Sequence, residues 1–383
     1  MNPIYLDHAA TTPVRTEVLE AMLPYFTGTF GNPSSLHAFG REARIAVSRS
    51  RDTLAGLLNC APGELIFTGS GTESDNAALF GAAAQFGAER KHIVTTQVEH
   101  HAVLHACERL ERAGFDVTYL PVDETGLVRV EDVEAAVRGD TMLISVMYGN
   151  NEVGTVQPIR QIGELARERG IAFHVDAVQA FGMLPIDLSE LPVDLMSFSA
   201  HKLYGPKGVG ALYVNKRIAI QPLLYGGSQE RKRRAGTENV AGIAGFAKAA
   251  ELAVAARQDN ARHVAELRGC MIGTLTRELG ADGFTVNGHP SDVLPHILNV
   301  SFPGVDTETM LMSLDLEGIA AASGSACTSG SLELSHVLRA MKLPDAVMRS
   351  AVRFSFGYSQ NFEQIRYAAE KAATISRRIR NRS

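Results

Sequence analysis

The chain has 383 residues, of which 45% are hydrophobic and 21% charged, and its formal net charge at pH 7 is −5. These proportions are those of an ordinary globular protein, and the charge gives no reason to expect nucleic-acid binding. Because the length exceeds the roughly 250–300 residues at which a single core stops growing, we expect a large domain and a smaller one.

The N-terminus and the cysteines indicate a cytoplasmic protein. The first residues carry neither the basic nor the apolar region of a secretory signal, and no apolar run approaches the ~18 residues of a membrane span. The four cysteines are far apart and form no CxxC pair, which argues against a zinc ribbon or a disulfide framework. They are Cys60, Cys107, Cys270 and Cys327.

From Glu64 onward, short apolar runs alternate with amphipathic ones. The pattern predicts strands at 65–67, 93–95, 117–120, 142–147, 171–175, 194–199 and 209–214. Helices are expected from Thr72, from about His100, from Val130 and from Ile159. Repeated βα units of this kind predict an α/β fold with a mostly parallel, seven-stranded sheet covered by helices on both faces. Ligands should bind beyond the carboxyl ends of the strands.

The pattern changes after about Gly242. A long Ala-rich helical stretch runs to Gly280, shorter strands follow at 297–302, 319–322 and 352–356, and a last helix begins at Phe362. We therefore predict a large α/β domain at 15–255. Residues 1–14 and 256–383 are expected to form a smaller α+β domain.

Lys202 lies in a Gly/Pro-rich loop between the last two predicted strands of the sheet. A lysine at the end of a buried strand can be partly desolvated, which lowers its pKa and frees the amine as a nucleophile. The alternative is a solvated surface lysine. If Lys202 holds an aldehyde cofactor, the chain also needs a carboxylate for a ring nitrogen, a helix N-terminus for a phosphate and a flat group for the ring.

Candidates for these three groups precede Lys202 in the sequence. The helix opening at Thr72 suits a phosphate, although simple helix capping explains it as well. Asp176 ends a buried strand, where it would pair with a protonated ring nitrogen or cap the next helix. His100 is the flat group nearest a strand end. His101 and His105 have metal-ligand spacing, but without the HExxH pattern or a matching carboxylate we expect no metal.

Two further residues belong to the C-terminal part. Cys327 lies among glycines and hydroxyl residues, a composition that suits a mobile exposed loop better than a core strand. Arg353 interrupts a strand of apolar residues, where it would hold an amino-acid carboxylate or form an internal ion pair.

Taken together, these residues resemble the cysteine desulfurases of the NifS/IscS type, which are fold-type I pyridoxal-phosphate enzymes of the class V aminotransferase group. The resemblance extends over nearly the whole chain. The motifs that carry it lie at 5–13, 30–37, 71–76, 99–100, 150–154, 174–179, 199–202, 234–239 and 323–331.

The resemblance implies pyridoxal 5′-phosphate as cofactor, with Lys202 as the Schiff-base lysine and His100 and Asp176 on the ring. It also implies Gln179 on the ring hydroxyl. The phosphate would be held by Gly71, Thr72, Ser199 and His201, and by Thr237 of the other subunit of a homodimer. The carboxylate of the substrate, L-cysteine, would be held by Asn32, Asn151 and Arg353.

The implied reaction converts L-cysteine into L-alanine and leaves a persulfide on Cys327 for a sulfur-acceptor protein such as an iron–sulfur scaffold. Lys202 would move the Cα proton, and His100 is a candidate for moving the thiol proton. The alternatives are a selenocysteine lyase, a class V aminotransferase, and a catalytically silent sulfur-transfer partner protein.

Overall fold

The computed structural model describes residues 3–324 and 334–381. The strands are β1 (Ile4–Tyr5), β2 (Leu65–Thr68), β3 (His92–Thr96), β4 (Asp116–Leu120), β5 (Thr141–Ser145), β6 (Ala172–Asp176), β7 (Leu195–Ser199), β8 (Gly210–Val214), β9 (Thr285–Asn287), β10 (Ile297–Ser301), β11 (Ile319–Ala320) and β12 (Ala351–Ser355). The helices are α1 (Thr16–Met22), α2 (Pro24–Thr27), α3 (Ala38–Leu58), α4 (Gly71–Phe86), α5 (His101–Glu111), α6 (Val130–Ala136), α7 (Ile159–Glu168), α8 (Val240–Ala255), α9 (Arg257–Leu279), α10 (Thr307–Leu316), α11 (His336–Ala340), α12 (Asp345–Met348) and α13 (Phe362–Arg380).

The central sheet has seven strands in the order β2-β8-β7-β6-β5-β3-β4. Strand β8 runs antiparallel to both of its neighbours, and the other pairs are parallel. The predicted α/β fold with a mostly parallel, seven-stranded sheet is therefore confirmed. Every residue of β2, β3, β5, β6, β7 and β8 is buried because both faces of the sheet are covered, which is the usual situation of a parallel sheet.

Helices cover the two faces of this sheet with separate apolar clusters. Phe67 packs on one face, in a cluster with Leu54 of α3 and Phe246 of α8. Its neighbour Ile66 points the other way and packs with Leu79 of α4 and other residues of the second cluster. Alternate residues of one strand thus enter opposite clusters, as the period of two requires.

A third apolar cluster joins the beginning of the chain to its last third. Strand β1 pairs with β11 in parallel, and β12, β10 and β9 form an antiparallel sheet. Ile4 and Leu6 pack there with residues of α9, α10 and α13. The domain boundaries proposed from the sequence stay a prediction.

The Ala-rich stretch differs from its predicted form because it is divided at Ala256. That residue has φ −99° and ψ 7°, outside the helical region, and it separates α8 from α9. The two helices pack into different clusters, α8 on the central sheet and α9 beside α13. Within the described residues, no helix is both long enough and apolar enough to cross a membrane.

Candidate active site

A cavity of about 450 Å³ lies beyond the carboxyl ends of the parallel strands, where a ligand site was expected. Most of the candidate residues line it. They are Gly71, Thr72, His100, Asn151, Asp176, Gln179, Ser199, His201, Lys202 and Arg353. They come from distant parts of the chain because β2, β3, β5, β6 and β7 each end near this cavity.

Lys202 reaches the cavity from the short helical turn that follows β7. Its Nζ donates to the carbonyl of Ala9 and, at 2.8 Å, to that of Ala10. Gln179 also donates to the Ala9 carbonyl, through Nε2 at 2.8 Å. The N-terminal segment therefore holds both candidate side chains at the cavity wall, and Lys202 does not lie on a solvated helix face.

Asp176, the last residue of β6, supplies a buried carboxylate. Its Oδ1 accepts a hydrogen bond from the Val178 amide at 2.9 Å, so the local capping interaction considered above is present. Burial raises the pKa of the carboxyl, and the nearby Lys202 charge partly opposes this effect. A buried carboxylate is costly without a cationic partner, so the residue suits a protonated ring nitrogen.

A second buried carboxylate, Asp75, lies beside Asp176 and was not anticipated. It is 1% exposed, and its Oδ1 has no hydrogen-bond partner in the described residues. Burial, with the charge of Asp176, raises its pKa well above the usual value. Asp75 lies within the quoted helix-start motif, but its orientation into the cavity has no signal in the sequence.

The start of α4 and the end of β7 form one corner of the cavity. Ser70 caps the helix by accepting a hydrogen bond from the Glu73 amide at 3.1 Å. A Cβ on Gly71 would lie 2.6 Å from Val178 Cγ2, so only glycine fits there. Ser199 is 2% exposed, and its hydroxyl has no partner within the described residues. Free helix N–H groups beside an unpaired hydroxyl suit a phosphate.

His100 precedes α5 and caps it, with Nδ1 accepting a hydrogen bond from the Ala102 amide at 3.1 Å. Burial, assisted by the Lys202 charge, lowers the pKa of His100 to about 4, so the imidazole is neutral at pH 7. His101 and His336 line the same wall, and their ring centroids are 4.7 Å apart. No group of three or more metal-ligating side chains is arranged around a common point in the described residues.

Arg353 lies on β12 with its side chain 3% exposed. Its Nη2 donates to Asp7 Oδ1 at 2.8 Å and its Nη1 to the Asn151 carbonyl at 2.8 Å. The internal ion pair considered from the sequence is therefore present, and the guanidinium still borders the cavity. The pairing with Asp7 could not be inferred from the sequence, because 346 positions separate the two residues.

Two candidate residues lie away from the cavity of the single chain. Asn32 is exposed, and its Oδ1 accepts a hydrogen bond from the Ser34 amide. Thr237 is exposed as well, and neither residue lines the cavity. Cys327 lies outside the described residues, but Gly324, three positions before it, borders the cavity.

The chain is similar to known proteins over nearly its whole length. Residues 4–367 match the family model described as aminotransferase class-V. A putative cysteine desulfurase, IscS 1 of Bacillus subtilis, is 51% identical over 99% of this chain and 100% of its own.

Among solved structures, a NifS-like protein has a TM-score of 0.92 and 38% identity, with 97% of this chain and 99% of that chain covered. SspA in complex with cysteine has a TM-score of 0.82 and 36% identity, with 94% of this chain and 100% of that chain covered. The chain therefore belongs to the class V aminotransferase family, on its branch of NifS/IscS-type cysteine desulfurases.

Proposed function

We propose that the protein is a pyridoxal-phosphate-dependent cysteine desulfurase that converts L-cysteine into L-alanine and retains the sulfur as a persulfide on Cys327. The observation that carries the proposal is the meeting of Lys202, Asp176, His100 and Arg353 around one cavity. The family to which the chain belongs supports it, as does the similarity to SspA, whose structure contains cysteine.

The residues at the cavity fit the cofactor. Lys202 would hold its aldehyde carbon covalently, Asp176 its ring nitrogen and Gln179 its ring hydroxyl, with His100 lying on the ring. Gly71, Thr72, Ser199 and His201 would hold the phosphate. The hydroxyl of Ser199, which has no partner within the described residues, and the buried carboxylate of Asp176 support this assignment, because a phosphate would satisfy the first and a cationic ring would compensate the second.

The side chains of this protein then have separate tasks. When bound, the cofactor holds the amino group of the substrate and takes up the electrons released at Cα. Arg353 and Asn151 bind the substrate carboxylate, and Lys202 removes the Cα proton and returns a proton to the product. His100 borders the cavity and is proposed to move the proton of the substrate thiol.

Cys327 is proposed to act as a thiolate nucleophile. Its sulfur bonds to the substrate sulfur, the bond between that sulfur and Cβ breaks, and the electron pair of the broken bond remains with the carbon skeleton that becomes alanine. The described cysteines are poorly suited to this step. Burial raises the pKa of Cys60 to about 12 and also raises that of Cys107, and none of them lines the cavity.

The active enzyme is proposed to be a homodimer in which Thr237 reaches the phosphate bound by the other subunit. The exposed position of Thr237, away from the cavity of its own chain, is consistent with this role. An exposed apolar surface near the N-terminus also favours a partner subunit. Among its residues, Phe26 is 58% exposed, Phe30 64%, Leu36 84% and Phe39 53%.

The proposed function is tested by replacing the nucleophile. Cys327→Ser should keep the absorbance of the bound cofactor and should form no L-alanine from L-cysteine. Cys270→Ser is the matched control, since Cys270 is half-buried against the third apolar cluster and does not line the cavity, and it should retain both properties. Normal alanine production by Cys327→Ser would refute the role of Cys327, and 2-oxo acid formation would indicate an aminotransferase instead.

A further inference from the structure

The guanidinium of Arg353 is already held before any substrate binds. Asp7 accepts a hydrogen bond from Nη2 at 2.8 Å, and the Asn151 carbonyl accepts one from Nη1 at 2.8 Å. The Nε atom is buried and has no partner in the described part of the chain. A guanidinium has five N–H donors, so these two contacts leave donors over for a ligand in the adjacent cavity.

Asp7 occupies a fixed position because the backbone on both sides of it is hydrogen-bonded to β12. The Leu6 carbonyl accepts a hydrogen bond from the Ser355 amide at 2.8 Å, and the Ala9 amide donates to Ser355 Oγ at 2.8 Å. Ser355 and Arg353 are two residues apart on the same strand and therefore project on the same side of it. The carboxylate of Asp7 is thus anchored next to the guanidinium.

We propose that Asp7 is a positioning residue for substrate recognition: it fixes the guanidinium of Arg353 so that the remaining N–H groups meet the α-carboxylate of the substrate. This inference rests on the proposed function, in which Arg353 binds that carboxylate. An unrestrained arginine would lose rotamer entropy each time it binds. Asp7 removes much of that cost because the side chain is already ordered.

Two other roles for Asp7 predict different behaviour. If the ion pair only joins the N-terminal segment to β12, its loss should lower stability and weaken all ligands alike. If Asp7 instead competes with the substrate for the guanidinium, removing its charge should tighten the binding of carboxylates. The positioning role alone predicts weaker binding that is confined to ligands with a carboxylate.

The test compares L-alanine with ethylamine, which is L-alanine without its carboxylate. Binding of each ligand to the full-length, cofactor-loaded enzyme is measured by titration calorimetry, which needs no turnover. Asp7→Ala should weaken L-alanine binding about tenfold and change ethylamine binding less than twofold. Asp7→Asn keeps an acceptor oxygen for Nη2 and should weaken L-alanine binding only about threefold.

Glu230→Gln is the matched control variant. Glu230 forms a similarly buried ion pair with Arg51, at 2.5 Å with side-chain exposures of 4% and 14%, and neither residue lines the cavity. The control should lower the melting temperature without changing the ratio of the two affinities. A variant of Asp7 that changed only the melting temperature would behave like this control and would refute the positioning role.

Further outcomes would also overturn the inference. These are an equal loss for both ligands, tighter L-alanine binding by Asp7→Asn, or a wild-type enzyme that binds L-alanine no better than ethylamine. The proposed function fails separately, if the wild-type enzyme forms no L-alanine from L-cysteine. The calorimetric comparison would still report the effect of Asp7 in that case.

Discussion

Ser199→Ala should stabilise the cofactor-free protein and weaken its affinity for the cofactor. In the cofactor-free protein the Ser199 hydroxyl is buried with no partner among residues 3–324 and 334–381, an arrangement that costs about 1–3 kcal/mol. Its removal should therefore raise the melting temperature of this form. With a phosphate bound, the same hydroxyl would donate a hydrogen bond to a charged group, and such a bond contributes about 1.5–3 kcal/mol. Its loss should weaken cofactor binding about 10- to 100-fold.

The structure supplies a control for this prediction in Ser145. Ser145 ends β5 as Ser199 ends β7, and it is 0% exposed, but its hydroxyl is hydrogen-bonded to His174 Nδ1 at 2.8 Å. Ser145→Ala should therefore lower the melting temperatures of the cofactor-free and cofactor-loaded proteins equally. Melting is followed by scanning fluorimetry, and affinity by absorbance titration. If Ser199→Ala behaved like Ser145→Ala, or left the affinity unchanged, the assignment of Ser199 to the phosphate would be wrong.

Three further predictions follow from the same geometry. Lys202→Ala lacks the amine for the covalent link, so mass spectrometry after borohydride reduction should find no attached cofactor, and attached cofactor would contradict the assignment. An equal mixture of Lys202→Ala and Thr237→Ala chains should form hybrid dimers with one complete site, and activity no higher than that of either variant alone would refute the exchange of Thr237. Burial lowers the pKa of His174 to about 3, so the folded protein resists the proton that the unfolded chain binds below pH ~6.5. The stability that the neutral imidazole contributes is therefore fully present above pH ~6.5 and falls by ~1.4 kcal/mol per pH unit as the pH is lowered towards 3. Denaturation of the wild type and of His174→Gln at pH 7 and pH 5 measures this loss. An equal loss of stability in the two proteins would refute the prediction.

The central sheet and most of the cavity lining could be predicted because each rests on a local signal. Runs such as 194–199 carry apolar residues at the spacing of a buried strand, and the ends of parallel strands must meet, which brings Asp176 and Lys202 together. The contacts of the N-terminal segment could not be predicted. The carbonyls of Ala9 and Ala10 hold Lys202 through backbone atoms, which any residue type would supply.

Other differences arise from the three-dimensional packing. Asp75 enters the cavity because α4 lies across the sheet. The helical stretch is divided at Ala256 because α8 and α9, on either side of this residue, pack into two different apolar clusters. Asn32 and Thr237 were assigned from the resemblance. They lie outside the cavity of one chain, and a role for Thr237 requires a second subunit.

The pairing of β1 with β11 determines when the site can be completed during protein synthesis. The segment that holds Lys202 is hydrogen-bonded to Ser355, so this segment has no place to dock until β12 has been translated. The central sheet can form earlier, since its strands end at Val214. A nascent chain stalled before β12 would therefore contain a formed sheet but an open pocket, and secure capture of the cofactor would have to await release from the ribosome.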